Sequence, residues 1–369
     1  MRTKIFMVPI LVLGVFLASA STFAHHGEAN YDTSEVVDVK GTVADFQFIN
    51  PHVLVYIEAK DSSGNMEKWT CEATSPNFLL RRGWNKSTLK PGDEITASGH
   101  RAKNGALFCW LNPSGFYSPL FAQTAKPPAA AKPQPKMAKA SPQGTSAKQN
   151  LSGVWAESQP PSAADQYWVF AFSPQELPMT PWGEEQYKAS KPSFGPRSVA
   201  IADTNDPVYH GCFPPGVPRV YLHPFPMQIA QLSDQVIILY EYDNLSRHIY
   251  TDGRKHNMDL PPTWMGDSIG KWEGDTLVAD TTNFNDKTWL DRIGHPHSAD
   301  LHLVERFRRV DHGNLRIDLT IDDPKAYTKS WTAHLYYSSQ PGWSLLEQFC
   351  EDNETFQEVE KQETNKPAK

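Results

Sequence analysis

Two adjacent histidines open the stretch of this chain with the most suggestive chemistry. Thr22 and Ala24 place small residues at the −3 and −1 positions of a cut, and cleavage there makes His25 the new amino terminus, followed by His26 and Gly27. An N-terminal histidine carries an amine and an imidazole on one residue, a chelating pair for a borderline metal such as copper. One more nitrogen would complete a T-shaped site. His52 is the expected donor, with His100 in reserve. The plainer reading is a polar start that frays in solvent. His-Glu-x-x-His and paired Cys-x-x-Cys spacings are absent from the sequence, so zinc has little support from it.

A second cluster runs from His295 through His297, Asp300 and His302 to Glu305, three imidazoles and two carboxylates within eleven residues. Such groups suit general acid–base chemistry or a metal. On a strand, His302, Val304 and Arg306 share one face, while Leu301, Leu303, Glu305 and Phe307 share the other. The first placement puts His302 and Arg306 inside; the second is more apolar and suits a packed interior. Further charges interrupt apolar strands at Glu241, Arg247, Asp280 and Asp318. A lone buried charge is costly, so inward-facing members must pair, and Glu241 with Arg247 is the expected pair across a hairpin. The catalytic candidates are thus His302, Glu305, Glu241 and Asp318. Trp264 in a Pro-rich loop, Arg247 and Arg306 are the candidate ligand contacts. Structural ion pairs and outward-facing charges are the commoner use of such residues. A phosphate-binding Gly-x-x-x-x-Gly-Lys loop, a dinucleotide fingerprint and Cys-x-x-Cys-His are all missing.

The elements that must hold these groups follow from composition and periodicity. Arg2 and Lys4 precede an apolar run at 5–17, too short for a stable span, so 1–24 reads as a secretory signal and the protein as exported, periplasmic or secreted. A net charge of −7 argues against nucleic acid as a partner, and no second apolar stretch approaches membrane-span length. Residues 122–150 are Ala, Pro, Lys, Gln and Ser with little to bury, a disordered linker averaging roughly 30 Å end to end. It divides a module at 25–121 from one at 151–353, leaving both free to fold and move independently, and 354–369 is a charged tail. Cys71 and Cys109 fall in the first module and Cys212 and Cys350 in the second, favouring disulfides within modules. Free, buried Cys71 and Cys109 are the alternative.

In the first module, strands at 36–48, 53–59 and 66–72 precede a short helix capped by Ser75-Pro76, then strands at 94–100 and 106–111. Gly41 suits a bulge or bend. This order predicts a small five-stranded OB-like barrel. The second module reads as strands at 151–156, 167–172, 227–232, 236–242, 247–251, 268–273, 276–281, 302–310, 315–321, 330–337 and 345–350, with a helix starting at Thr180. The successive strands predict a larger antiparallel up-and-down barrel of the lipocalin/calycin-like kind, which removes sheet edges and holds a small ligand in its mouth or lumen.

Several motifs are shared with known sequences. Ala24-His25-His26, Gly41-Thr42-Val43, Asn50-Pro51-His52, Ser75-Pro76-Asn77, Leu80–Trp84 and Lys90-Pro91-Gly92-Asp93 resemble a secreted bacterial family of unknown function. The second module, through Pro214–Arg219, Pro262–Gly266, Trp272–Leu277 and Phe284–Trp289, resembles uncharacterised chains. The resemblance implies compartment and architecture and no activity. The expected role is to bind a small organic ligand in the larger barrel, with copper at the mature amino terminus. The alternatives are a hydrolase, lyase or isomerase using the larger barrel's acids and histidine, or an interaction module of the cell envelope.

Overall fold

The structure is a computed structural model that describes residues 31–50, 52–111, 150–158, 170–173, 175–199, 203–257 and 259–350. The expected signal, His25, His26, the tail and all of the linker except Asn150 lie outside the described residues. Alternating apolar side chains make the first five strands: β1 (Val37–Gln47), β2 (Leu54–Lys60), β3 (Met66–Glu72), β4 (Glu94–Arg101) and β5 (Phe108–Trp110). They close in the order β1-β2-β3-β5-β4, with β3 and β5 parallel. Val43, Val55, Ile57, Ala97 and Leu111 fill the interior. Helix α1 (Pro76–Leu80) follows β3, its Ser75 side chain accepting from Phe78 N–H as an N-cap. The OB-like strand order is therefore observed. Gly41 serves closeness rather than a bulge, since a Cβ there would stand 2.3 Å from the Glu58 carbonyl oxygen. The register shift falls between Val43 and Asp45 instead.

The second barrel contains β6 (Gly153–Glu157), β7 (Met227–Gln231), β8 (Gln235–Tyr240), β9 (Ser246–Tyr250), β10 (Asp267–Glu273), β11 (Thr276–Thr282), β12 (His302–Arg309), β13 (Asn314–Asp322) and β14 (Trp331–Ser339). These nine strands form a closed ring in the order β10-β11-β12-β13-β14-β6-β7-β8-β9. A ring of odd number cannot be antiparallel throughout, and the parallel pair is β9 with β10, Ser268 opposite Ile249. Helices α2 (Pro181–Ala189) and α3 (Pro207–Gly211) lie between β6 and β7 in sequence, and Thr180 caps α2 as expected. Ile229, Ile238, Ile249, Leu277, Leu303 and Phe307 are among the buried side chains of its core.

The expected strand at 345–350 does not form, and the described end of the one expected at 167–172 is not strand either. Residues 170–172 lie in turn and irregular chain, and 345–350 is irregular as well. The backbone of the second segment is used elsewhere: Leu346 N–H donates to Glu241, Cys350 N–H to Asp243, and the Ser344 and Glu347 carbonyls accept from Arg81 and Asn77. Groups committed in this way cannot join a ladder. Both disulfides form within modules, Cys71–Cys109 across neighbouring strands and Cys212–Cys350 over a separation of 138 residues. Among the described residues no helix is long and apolar enough to cross a membrane.

Candidate functional site

The two barrels meet at a buried ion pair that sequence spacing does not reveal. Glu241 follows β8, is fully buried, and accepts from both terminal nitrogens of Arg81, just past α1. Leu346 N–H (2.8 Å) and the Asn77 amide (3.5 Å) complete its shell. Arg81 also lies 4.7 Å from the centre of the Trp343 ring. The partner of Glu241 is thus Arg81 and not the expected Arg247, and the barrels are docked rather than independent.

Beside this contact opens a cavity of about 390 Å³, walled by Phe78 and Arg82 of the small barrel and by Phe225, Pro226, Gln340 and Trp343 of the large one. Phe78 and Phe225 supply flat apolar faces, and the Arg82 guanidinium stacks 3.7 Å from the Phe78 ring. Aromatic walls with a cation at the rim suit a planar organic ligand with an acidic group. The short helix after β3 presents Phe78, Arg81 and Arg82 from about one turn, so this wall depends on its cap.

The interior of the larger barrel carries a second polar assembly. Arg247 and Glu305 are both buried and form an ion pair. Arg247 also donates to Ser268 Oγ (3.1 Å), Thr281 Oγ1 (2.8 Å) and Tyr221 Oη (2.9 Å), while Tyr221 donates to Glu305 (2.8 Å). Burial pulls Arg247 down and the Glu305 charge pulls it up; the net shift is upward, so it stays cationic. Burial and the same carboxylate push the Tyr221 phenol well up, so it remains a donor. A closed network of this kind locks side chains and fills the lumen.

The remaining candidates face outwards or into loops. On β12 the second placement holds: Leu303, Glu305 and Phe307 point inward, and His302 and Arg306 point out. His302 meets Asp280 (2.9 Å), which also contacts His256, and Arg306 pairs with Glu273 (3.0 Å). Asp318 accepts from Arg316 and contacts His334 (2.6 Å). Trp264 packs against Phe213 at 5.3 Å between ring centres, and its carbonyl accepts from Val217 N–H, so it braces the Pro-rich loop. His295 is held by Asp291 Oδ2 (2.5 Å) and stacks on Tyr187 (4.6 Å).

In the small barrel, His52 Nδ1 contacts the buried Glu72 carboxyl, to which Tyr31 also donates (3.2 Å). Burial drives His52 down to about 4, leaving a neutral imidazole near pH 7, and drives Glu72 well up against the Tyr31 bond. His100 Nδ1 lies 2.7 Å from the Glu35 carbonyl oxygen. Among the described residues no group of three His, Cys, Asp or Glu could hold a metal. Sequence reasoning missed Arg81, Arg82 and Trp343 as site residues. The Leu80–Trp84 motif was the available signal, but spacing cannot show a docking partner on another barrel.

Fold and cleft together define a two-barrel protein of β type with a walled cavity at the junction. Residues 14–109 of the chain match a family of unknown function (DUF6152), a region that ends inside β5 and leaves the larger barrel outside the match. No curated protein shows a significant match to the chain.

Proposed function

We propose that this is an exported binding protein that seats a small organic ligand bearing an acidic group in the cleft between its barrels. The observation that carries the reading is the cavity of about 390 Å³ with Phe78, Phe225 and Trp343 on its walls and Arg82 on its rim. It moves the expected ligand from the lumen of the larger barrel to its edge, because the Arg247–Glu305 network occupies the interior. A binder is favoured over a hydrolase, lyase or isomerase because Glu305, Glu241, Asp318 and His302 are each engaged in ion pairs. Export is supported by the secretory pattern at 1–24 and by two disulfides, which persist in oxidising compartments.

The test uses 8-anilinonaphthalene-1-sulfonate, a planar aromatic anion, titrated against the full exported chain. Saturable one-to-one binding is expected, weakened roughly tenfold or more by Trp343→Leu and unchanged by Arg306→Ala on the outer face. Non-saturable binding, or equal binding by the Trp343→Leu protein, would refute the cleft.

A second reading concerns copper at the mature amino terminus, with His25, His26 and His52 as ligands. What favours it is the Glu72 carboxyl against His52 Nδ1, since a carboxyl on one ring nitrogen commonly accompanies a histidine that ligates metal through the other. When bound, copper would supply redox chemistry. Copper(II) titration followed by electron paramagnetic resonance, beside a form with one extra N-terminal residue, decides it. Tight binding lost in the extended form supports the site, and equal binding by both overturns it.

A further inference from the structure

Behind the cleft, one corner of the larger barrel buries two guanidinium groups, of which only Arg219 has a carboxylate partner among the described residues. Arg219 is fully buried on the 3-10 turn Arg219–Leu222, and Arg292, on the loop after β11, is 3% exposed. Arg219 spends one nitrogen on Asp206 Oδ2 (2.6 Å), and among the described residues its Nε and Nη1 have no hydrogen-bond partner. Arg292 donates to Tyr209 Oη (3.1 Å) and to the Leu222 carbonyl (3.1 Å) and lies over the Phe194 ring at 4.0 Å. Among the described residues no carboxylate forms an ion pair with it. Two nearby acids are already committed: Asp206 to Arg219 and to Val208 N–H, and Asp291 to His295.

The same corner holds other unmade bonds. His223 Nε2 and Tyr242 Oη are buried without partners among the described residues, and their rings sit 4.1 Å apart. Tyr209 joins them, 6.2 Å from His223 between ring centres. Four elements converge here: α3 brings Tyr209, the 3-10 turn brings Arg219 and then His223, the turn after β8 brings Tyr242, and the loop after β11 brings Arg292.

A buried guanidinium such as Arg292, with no ion-pair partner among the described residues, is expensive in a low-dielectric interior. Each unmade donor adds its own desolvation penalty. Water would satisfy the donors and leave the charge uncompensated, whereas an anion answers both at once. We propose that this corner is an anion site that takes a small oxyanion, a carboxylate or a phosphate, on Arg219, Arg292, Tyr242 and His223. Burial raises both Tyr209 and Tyr242, which keeps each phenol a donor, and holds His223 neutral with at most one N–H to offer. The guanidinium groups thus supply the charge and the neutral groups the shape. The site is separate from the proposed cleft: Phe225 lies between them, lining the cavity on one side and standing 5.6 Å from Tyr242 on the other.

Inorganic phosphate and acetate are the probes, titrated into the full chain at constant ionic strength while heat of binding and thermal unfolding are followed. A saturable response to one or both is expected, and which of the two binds tighter identifies the source of the oxyanion. Tyr242→Phe removes one donor without opening a cavity and should weaken the preferred anion roughly tenfold. It should leave 8-anilinonaphthalene-1-sulfonate binding intact, which separates this site from the cleft. Arg292→Met should abolish the response, and if that variant does not fold the Tyr242→Phe comparison stands alone. No saturable response to either probe, or equal affinity in the wild-type and Tyr242→Phe proteins, would overturn the proposal.

Discussion

Replacing Arg81 by Met tests whether the two barrels are held in one arrangement by charge. Glu241 is fully buried, and without Arg81 its carboxylate keeps only Leu346 N–H at 2.8 Å and the long Asn77 contact at 3.5 Å. Leaving a buried acid without its cation costs about 3–5 kcal/mol. That corresponds to roughly two to four decades in the docking equilibrium. Both barrels keep their own cores, so the loss should appear as separation and not as unfolding. Small-angle scattering of the full chain should show a larger radius of gyration for Arg81→Met, while near-ultraviolet dichroism stays native. The double variant Arg81→Met with Glu241→Leu removes both charges and should recover much of the docking, because an apolar replacement of a buried pair is often neutral. Unchanged dimensions and stability in both Arg81→Met and Glu241→Gln would refute the reasoning, since the pair would then contribute nothing.

Inside the larger barrel, Arg247→Met strands Glu305 and should cost about 3–5 kcal/mol in denaturant unfolding, most of it regained when Glu305→Leu is added. Breaking Cys212–Cys350 by a double Ser substitution releases a loop of 138 residues and should cost about 5 kcal/mol on chain entropy, read by calorimetry. His52 titrates near 4 in the fold against 6.5 when unfolded, so its neutrality contributes fully above pH 6.5. That contribution falls away between 6.5 and 4, by at most about 3 kcal/mol. Glu72 is shifted upward and works against this, losing stability as pH rises through its folded pKa. His52→Asn should therefore flatten the acid decline, and an unaltered pH profile would count against a buried neutral imidazole. Gly41→Ala, whose Cβ would meet the Glu58 carbonyl oxygen at 2.3 Å, should destabilise the small barrel by more than the roughly 1 kcal/mol typical of a point change, measured by thermal unfolding.

The sequence by itself determined the local pieces. Alternation of apolar residues placed the strands that form within a residue or two, and Ser75 and Thr180 marked their helix starts, because strand faces and caps are set by neighbours along the chain. The OB-like order of elements in the small barrel followed from the same signals, and disulfides within each module followed from the linker that separates the two pairs of cysteines. Tertiary structure alone decided the partners of the charges. Glu241 lies six residues before Arg247, yet it pairs with Arg81, 160 positions away, while Arg247 pairs with Glu305, 58 away. Closure also decided which face of β12 turns inward, and it required one parallel pair once nine strands formed. The segment 345–350 had the composition of a strand and became a strap, since docking claimed its backbone groups. A charge takes the partner that barrel closure and docking bring within a few ångströms in a dry interior, and periodicity carries no record of that distance.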